Sequence, residues 1–221
     1  MLKEEKAAEG LAFIVDDEEV VRDSIGLLLR SVGIAWQGYA DARSFLADYQ
    51  PERPGCLLLD IRMPRMSGLE LQQELNRRGW AIPIIFITGH GDVPMAVSAM
   101  RAGAVDFLQK PFNDEDLIRR VQTALQYDAE RRAQARAVDA VRARYESLTP
   151  REREIAVLIA AGHANKAIAI DLSLSERTVE LHRARILQKM EARGVAQLVQ
   201  MLILLPETAA AAGAASGTSG G

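Results

Sequence analysis

A chain of 221 residues that is 48% hydrophobic and 26% charged has the balance of a soluble globular protein, with length enough for two modest domains. Its longest apolar runs, such as residues 81–88, fall far short of a bilayer span, and the charged start MLKEEKAAEG lacks the basic-then-apolar order of a secretory signal, which points to the cytoplasm. The single cysteine, Cys56, excludes a disulfide within one chain and opens an apolar run, the place of a buried, inert thiol. The net charge of −3 hides an asymmetry: residues 1–126 hold 14 Lys+Arg against 19 Asp+Glu, and residues 148–221 hold 8 against 7. With no strongly basic half, any contact with nucleic acid has to come from charges gathered on one surface.

In chain order, short apolar runs at 11–15, 34–39, 56–59, 82–87 and 105–108 alternate with helical patterns near 19–32, 41–49, 68–78, 93–102 and 114–126. That rhythm predicts an α/β domain with a doubly wound, five-stranded parallel sheet over residues 1–126. From 114 to 144 the chain lacks Gly and Pro and is rich in Ala, Arg, Gln and Glu, so a long helix runs out of that domain and 127–147 is expected as a helical linker. LTPRE then marks a helix start, with Thr149 as N-cap and Pro150 at the first helical position. Further helical patterns at 166–171, 176–190 and 195–205, with no strand pattern among them, predict an all-helical domain over 148–205. The tail 206–221, of low complexity, is expected to be disordered.

Ligands of such a sheet bind beyond the carboxyl ends of its strands. Asp16 and Asp17 end the first strand, Asp60 the third and Thr88 the fourth, and Lys110 follows the fifth. One acidic pair alone would be a solvated strand end. Three carboxylates at one rim repel one another unless a hard cation joins them, and oxygen donors of this kind suit Mg2+, which keeps waters and leaves positions for phosphoryl oxygens. Lys110 adds a point charge and Thr88 a hydroxyl, both suited to a phosphoryl group on a carboxylate.

The stretches FIVDDEEVVR, CLLLDIRMPRMSGLELQ and TGHGDVPMAVSAMRAGAVDFLQKPF resemble, over about residues 10–126, the receiver domain of two-component response regulators, in the branch typified by FixJ. The resemblance implies a flavodoxin-like fold with Asp60 as phosphoacceptor for a sensor histidine kinase. It further implies Mg2+ at Asp16, Asp17, Asp60 and the Arg62 backbone carbonyl, a phosphoryl-holding Lys110, and switch residues Thr88 and Phe107. A cis peptide before Pro111 comes with it. Phe107, taken alone, reads as plain core. Arg65 has two readings, a solvated side chain or one that screens the pocket and alters phosphoryl lifetime, and His90 could be mistaken for a phosphohistidine.

The segment from LTPRE through NKAIA and LSLSERTVELHRARILQKM to AQLVQML resembles the LuxR-type helix-turn-helix over about 148–205. Val179, Ile186 and Met190 form an apolar stripe, while Glu180, Leu181, Ala184, Arg185 and Gln188 share the opposite face. The resemblance makes 176–190 the recognition helix. Lys166, Thr178, His182 and Arg183 would then lie near phosphate, and Glu180, Leu181, Ala184 and Arg185 toward bases of double-stranded promoter DNA. Arg185 is best suited to guanine, Glu180 either accepts from cytosine or opposes phosphate, and His182 contacts phosphate or merely packs. His163 falls in an inter-helix turn, and no His/Cys pattern suggests zinc.

The whole reads as a transcription factor, not an enzyme apart from self-phosphorylation and self-dephosphorylation. It would dimerise when phosphorylated, activate transcription, meet RNA polymerase as a further partner, and have no membrane contact. Whether the unphosphorylated receiver restrains the DNA-binding half stays open. Competing readings are an adaptor whose helices dock a protein, and an acyl-phosphate hydrolase, for which no specificity pocket or lid is legible.

Overall fold

The computed structural model describes residues 10–89 and 93–205; His90 and the tail from 206 lie outside them. The chain divides into two compact units, Met1–Arg132 and Ala133–Gly221.

The first unit runs β1 (Leu11–Val15), α1 (Glu19–Ser31), β2 (Ala35–Tyr39), α2 (Ala42–Asp48), β3 (Gly55–Asp60), α3 (Gly68–Arg77), β4 (Ile84–Thr88), α4 (Val93–Arg101), β5 (Asp106–Gln109) and the start of α5 (Asp114–Glu146). The five strands are all parallel in the order β2-β1-β3-β4-β5. From β1 the chain therefore winds first to one side and then to the other, and the switch opens a crevice at the carboxyl ends of β1 and β3. Alternation of side chains splits the core in two. Phe13, Val15, Leu57, Leu59 and Phe86 face one layer with Phe45, Leu71 and Leu75. Ala12, Ile14, Leu58, Ile85 and Ile87 face the other with Ile25, Leu29, Leu117 and Val121. Both faces are covered, which is why β3 and β4 read as unbroken apolar runs. β4 and β5 begin two residues and one residue later than their apolar runs, because Pro83, which lacks an amide proton, and Val105 precede the strand ladder. Cys56 is fully buried in β3, and burial pushes its thiol up to about 12.

α5 is one element past residue 132. Its Asp128 is buried and accepts hydrogen bonds from the Gly55 amide at 3.0 Å and Arg132 Nε at 2.6 Å. Arg132 also donates to the carbonyls of Pro51, Glu52 and Arg53.

The second unit holds the rest of α5 with α6 (Pro150–Ala160), α7 (Asn165–Asp171), α8 (Glu176–Lys189) and α9 (Val195–Ile203). Its core gathers Val141, Leu148, Ile155, Ile159, Ile168, Val179, Ile186, Met190, Leu198 and Leu202, so the segment expected as a linker gives its last turns to this core. Thr149 and Glu152 close a capping box over the start of α6, with Pro150 in the first turn. The chain leaves α6 through Gly162 at φ 86°, a left-handed turn that suits glycine. Among the described residues, no helix is long and apolar enough to cross a membrane.

Candidate functional site

β1 and β3 lie side by side in register, so Asp16, just past β1, and Asp60, the last residue of β3, come out at one rim of the sheet. Asp16 is 3% exposed and Asp60 7%, whereas Asp17 faces solvent. Lys110 lies between the buried pair, its Nζ 2.7 Å from Asp16 Oδ2 and 3.6 Å from Asp60 Oδ1. The other oxygen of Asp60 accepts the Arg62 amide at 2.9 Å, and Asp16 Oδ1 accepts the Glu18 amide at 2.9 Å. Thr88, buried at the end of β4, accepts the Lys110 amide on its carbonyl at 2.8 Å, and the Lys110–Pro111 peptide is cis, as the resemblance implied.

Burial pushes the Asp60 carboxyl up, a direction that Asp16 and Asp17 reinforce and that Lys110 and the Arg62 amide oppose. Burial pushes the Lys110 ammonium down, but its hydrogen bond to Asp16 and the charges of Asp16 and Asp60 outweigh that and leave it raised. The rim therefore holds a carboxylate that gains from a positive partner and an ammonium already beside it.

Hard oxygen donors from Asp16, Asp17 and Asp60 fit Mg2+ in kind. Among the described residues, no three His, Cys, Asp or Glu side chains are already closed around one point, since Asp16 is engaged by Lys110 and Asp17 points outward. Phe107 is half-buried against the first core layer, opposite Phe86 in the ladder. Arg65 has φ 71°, a conformation that explains why a small residue would suit this loop, and its guanidinium reaches Asp41 Oδ2 at 3.2 Å. Asp41 caps α2, and the Ser44 amide holds its carboxyl below the usual carboxylate range.

Two neighbours carry weight that the motifs alone did not reveal. Gly68 begins α3 so close under β3 that a Cβ there would lie 2.2 Å from the Asp60 carbonyl oxygen. Only its place in MSGLE, a glycine at a helix start, hints at this. Glu152 is the other: 3% exposed, it accepts the Thr149 amide at 2.8 Å and Lys189 Nζ at 2.6 Å, and so ties the end of α8 to the start of α6.

In the second unit α8 turns Val179, Ile186 and Met190 fully inward. Glu180, Leu181, Ala184, Arg185 and Gln188 are exposed, as are Lys166 on α7 and Lys189. Ser175 caps α8 through the Thr178 amide at 3.1 Å. Arg183 is half-buried and donates to Asn165 Oδ1 at 3.0 Å, which pins α8 to the first residue of α7. His182 is also half-buried, and its Nδ1 is buried without a hydrogen-bond partner. His163 stands 3.9 Å from Asp171.

The pattern of residues matches two known families, the response regulator receiver domain over residues 12–122 and the bacterial regulatory proteins of the luxR family over 146–202. The response regulator protein TmoT of Ectopseudomonas mendocina is 43% identical over 193 residues, covering 87% of this chain and 88% of that one. The transcriptional regulatory protein FixJ of Rhizobium meliloti (strain 1021) is 46% identical over 190 residues, 86% of this chain and 93% of its own. Among solved structures, the response regulator StyR superposes with a TM-score of 0.81 at 44% identity, covering 88% of this chain and 98% of that one. Full-length FixJ from B. japonicum gives 0.55 at 36% identity, covering 89% and 97%. The chain belongs to the two-component response regulators of the FixJ branch, as a transcription regulator that joins a receiver domain to a LuxR-type DNA-binding domain.

Proposed function

We propose that a sensor histidine kinase phosphorylates Asp60 and that the modified chain dimerises, binds promoter DNA through α8 and activates transcription. The observation that carries this reading is the buried Asp60 carboxylate with the Lys110 ammonium 3.6 Å away and Asp16 on the same ammonium. An oxygen of Asp60 attacks the phosphorus of the donor phosphohistidine; the P–N bond breaks as the P–O bond forms, and the departing imidazole nitrogen takes up a proton. Lys110 pairs with the phosphoryl oxygens. Mg2+, held by Asp16, Asp17, Asp60 and the Arg62 carbonyl, would neutralise charge on the transferring group. The Thr88 hydroxyl then turns toward the phosphoryl group and Phe107 repacks behind it.

The surface that responds is that of α4 and β5, where Val97 and Met100 are each 44% exposed and Val105 37% exposed, apolar area suited to a second copy of this chain. The test uses the full chain with acetyl phosphate and Mg2+. Label is expected on wild type and not on Asp60→Asn, and sedimentation should show a dimer only for the labelled protein. Equal self-association of the two proteins would overturn the switch, and absence of label on Asp60 would overturn the whole reading.

A further inference from the structure

Four arginines of the second unit are tied into the fold. Arg144 pairs with Glu191 at 2.6 Å, Arg151 with Glu154 at 2.7 Å, Arg153 with the Glu146 carbonyl at 2.7 Å, and Arg183 with Asn165 at 3.0 Å. Arg177 and Arg185 are different: both are exposed, and neither guanidinium has a partner among the described residues. They stand four residues to either side of Leu181, which is 55% exposed. At about 100° per residue the two arginines fall within about 40° of Leu181, so the three form one row along α8. That row is diametrically opposite Val179 and Met190, both fully buried, and so is the outermost line of the helix. Glu180 lies on the flank, about 100° away.

We propose that this row reads the major groove, with Leu181 seated on the 5-methyl group of a thymine and with guanine taken by Arg185, while Arg177 engages the other end of the same short stretch. The proposal rests on α8 being the DNA-binding helix and names what it recognises. Leu181 stands exposed between two unpaired cations on the outermost line of α8, and the thymine methyl is the apolar feature that the major groove offers such a side chain. Residues four apart are about 6 Å apart along a helix axis, less than two base-pair steps of about 3.4 Å, so the thymine and the guanine lie within two base pairs of one another. Arg183, spent on Asn165, holds α8 in place and is a positioning residue.

The experiment selects preferred sites from random duplexes with the full chain, acetyl phosphate and Mg2+, then replaces each thymine of the selected half-site by deoxyuridine, which removes only the methyl group. Wild type is expected to lose about three- to fivefold at one thymine, the worth of one buried methyl. Leu181→Ala should bind both duplexes alike, and Arg185→Ala should lose roughly tenfold or more at a guanine within two base pairs. Wild-type binding indifferent to every methyl, a half-site without thymine, or methyl sensitivity retained in Leu181→Ala would each overturn the proposal and leave DNA binding by α8 standing. Binding with no sequence preference at all would remove that underlying reading as well. Because the methyl is removed from the DNA, the wild-type readout stands even where a variant fails to fold.

Discussion

At the scale of single residues, the chemistry of the rim was legible and its support was not. Asp16, Asp60, Thr88 and Lys110 are polar residues at the ends of apolar runs, and that position alone says they face a common edge. Gly68 is legible only in three dimensions, since its need for a bare Cα comes from the Asp60 carbonyl, eight residues earlier in the chain. Gly68→Ala should push β3 and α3 apart, cost about 1–3 kcal/mol in urea unfolding, and slow acetyl-phosphate labelling of Asp60 by displacing it. Arg183 shows the reverse limit. The resemblance implied a phosphate contact for it, and in the structure its guanidinium reaches Asn165, an engagement that spacing does not encode: four residues after buried Val179 and three before buried Ile186, it is half-exposed. Cys56 was legible from its apolar run, and with no exposed surface and a thiol pushed up to about 12 it should resist iodoacetamide in the native protein and react fully in denaturant, as mass spectrometry can count.

At the scale of elements, periodicity located every strand and helix of the described residues, and its errors lie at the ends. Ile34 and Val105 are apolar and flank strands without joining them: Ile34 is buried in the second core layer and Val105 is exposed, and neither environment is distinguished from membership of a ladder by an apolar side chain alone. Thr149 was legible as an N-cap, whereas the second duty of Glu152, as acceptor for Lys189 on α8, depends on a meeting of helices that sequence spacing does not encode. Burial pushes the Glu152 carboxyl up, but the bonds from Lys189 and Thr149 prevail and hold it at about 2. The folded protein thus binds this proton more weakly than the unfolded chain, whose carboxyl titrates near about 4.3. The resulting stability is fully present above that value and drains as pH falls toward 2. Glu152→Ala should lower the stability of the helical unit by about 2 kcal/mol at neutral pH and flatten its acid transition between pH 5 and about 2, measured by circular dichroism of wild type and variant.

For the whole molecule, the two cores have no residue in common, so damage to one should spare the other. Residues 133–137 of α5 are exposed, and Arg136 among them offers trypsin a site; limited digestion is expected to yield two folded fragments, the second of which still binds DNA and ignores phosphodonor. Comparing that fragment with the intact unphosphorylated chain decides between restraint and simple dimer-driven affinity: tighter binding by the fragment means restraint. The helical rhythm of the sequence places the end of the first domain near residue 126, where nothing in composition distinguishes one turn of α5 from the next. The clamp of Asp128 and Arg132 moves the functional edge later. A protein cut after Gln126 would open the amino end of β3: the Gly55 amide would lose its acceptor, and the carbonyls of Pro51, Glu52 and Arg53 their shared donor. Such a piece should melt earlier than one ending at Arg132 by an amount worth about 2–4 kcal/mol, so six residues of apparent spacer decide whether the α/β half can be handled in isolation.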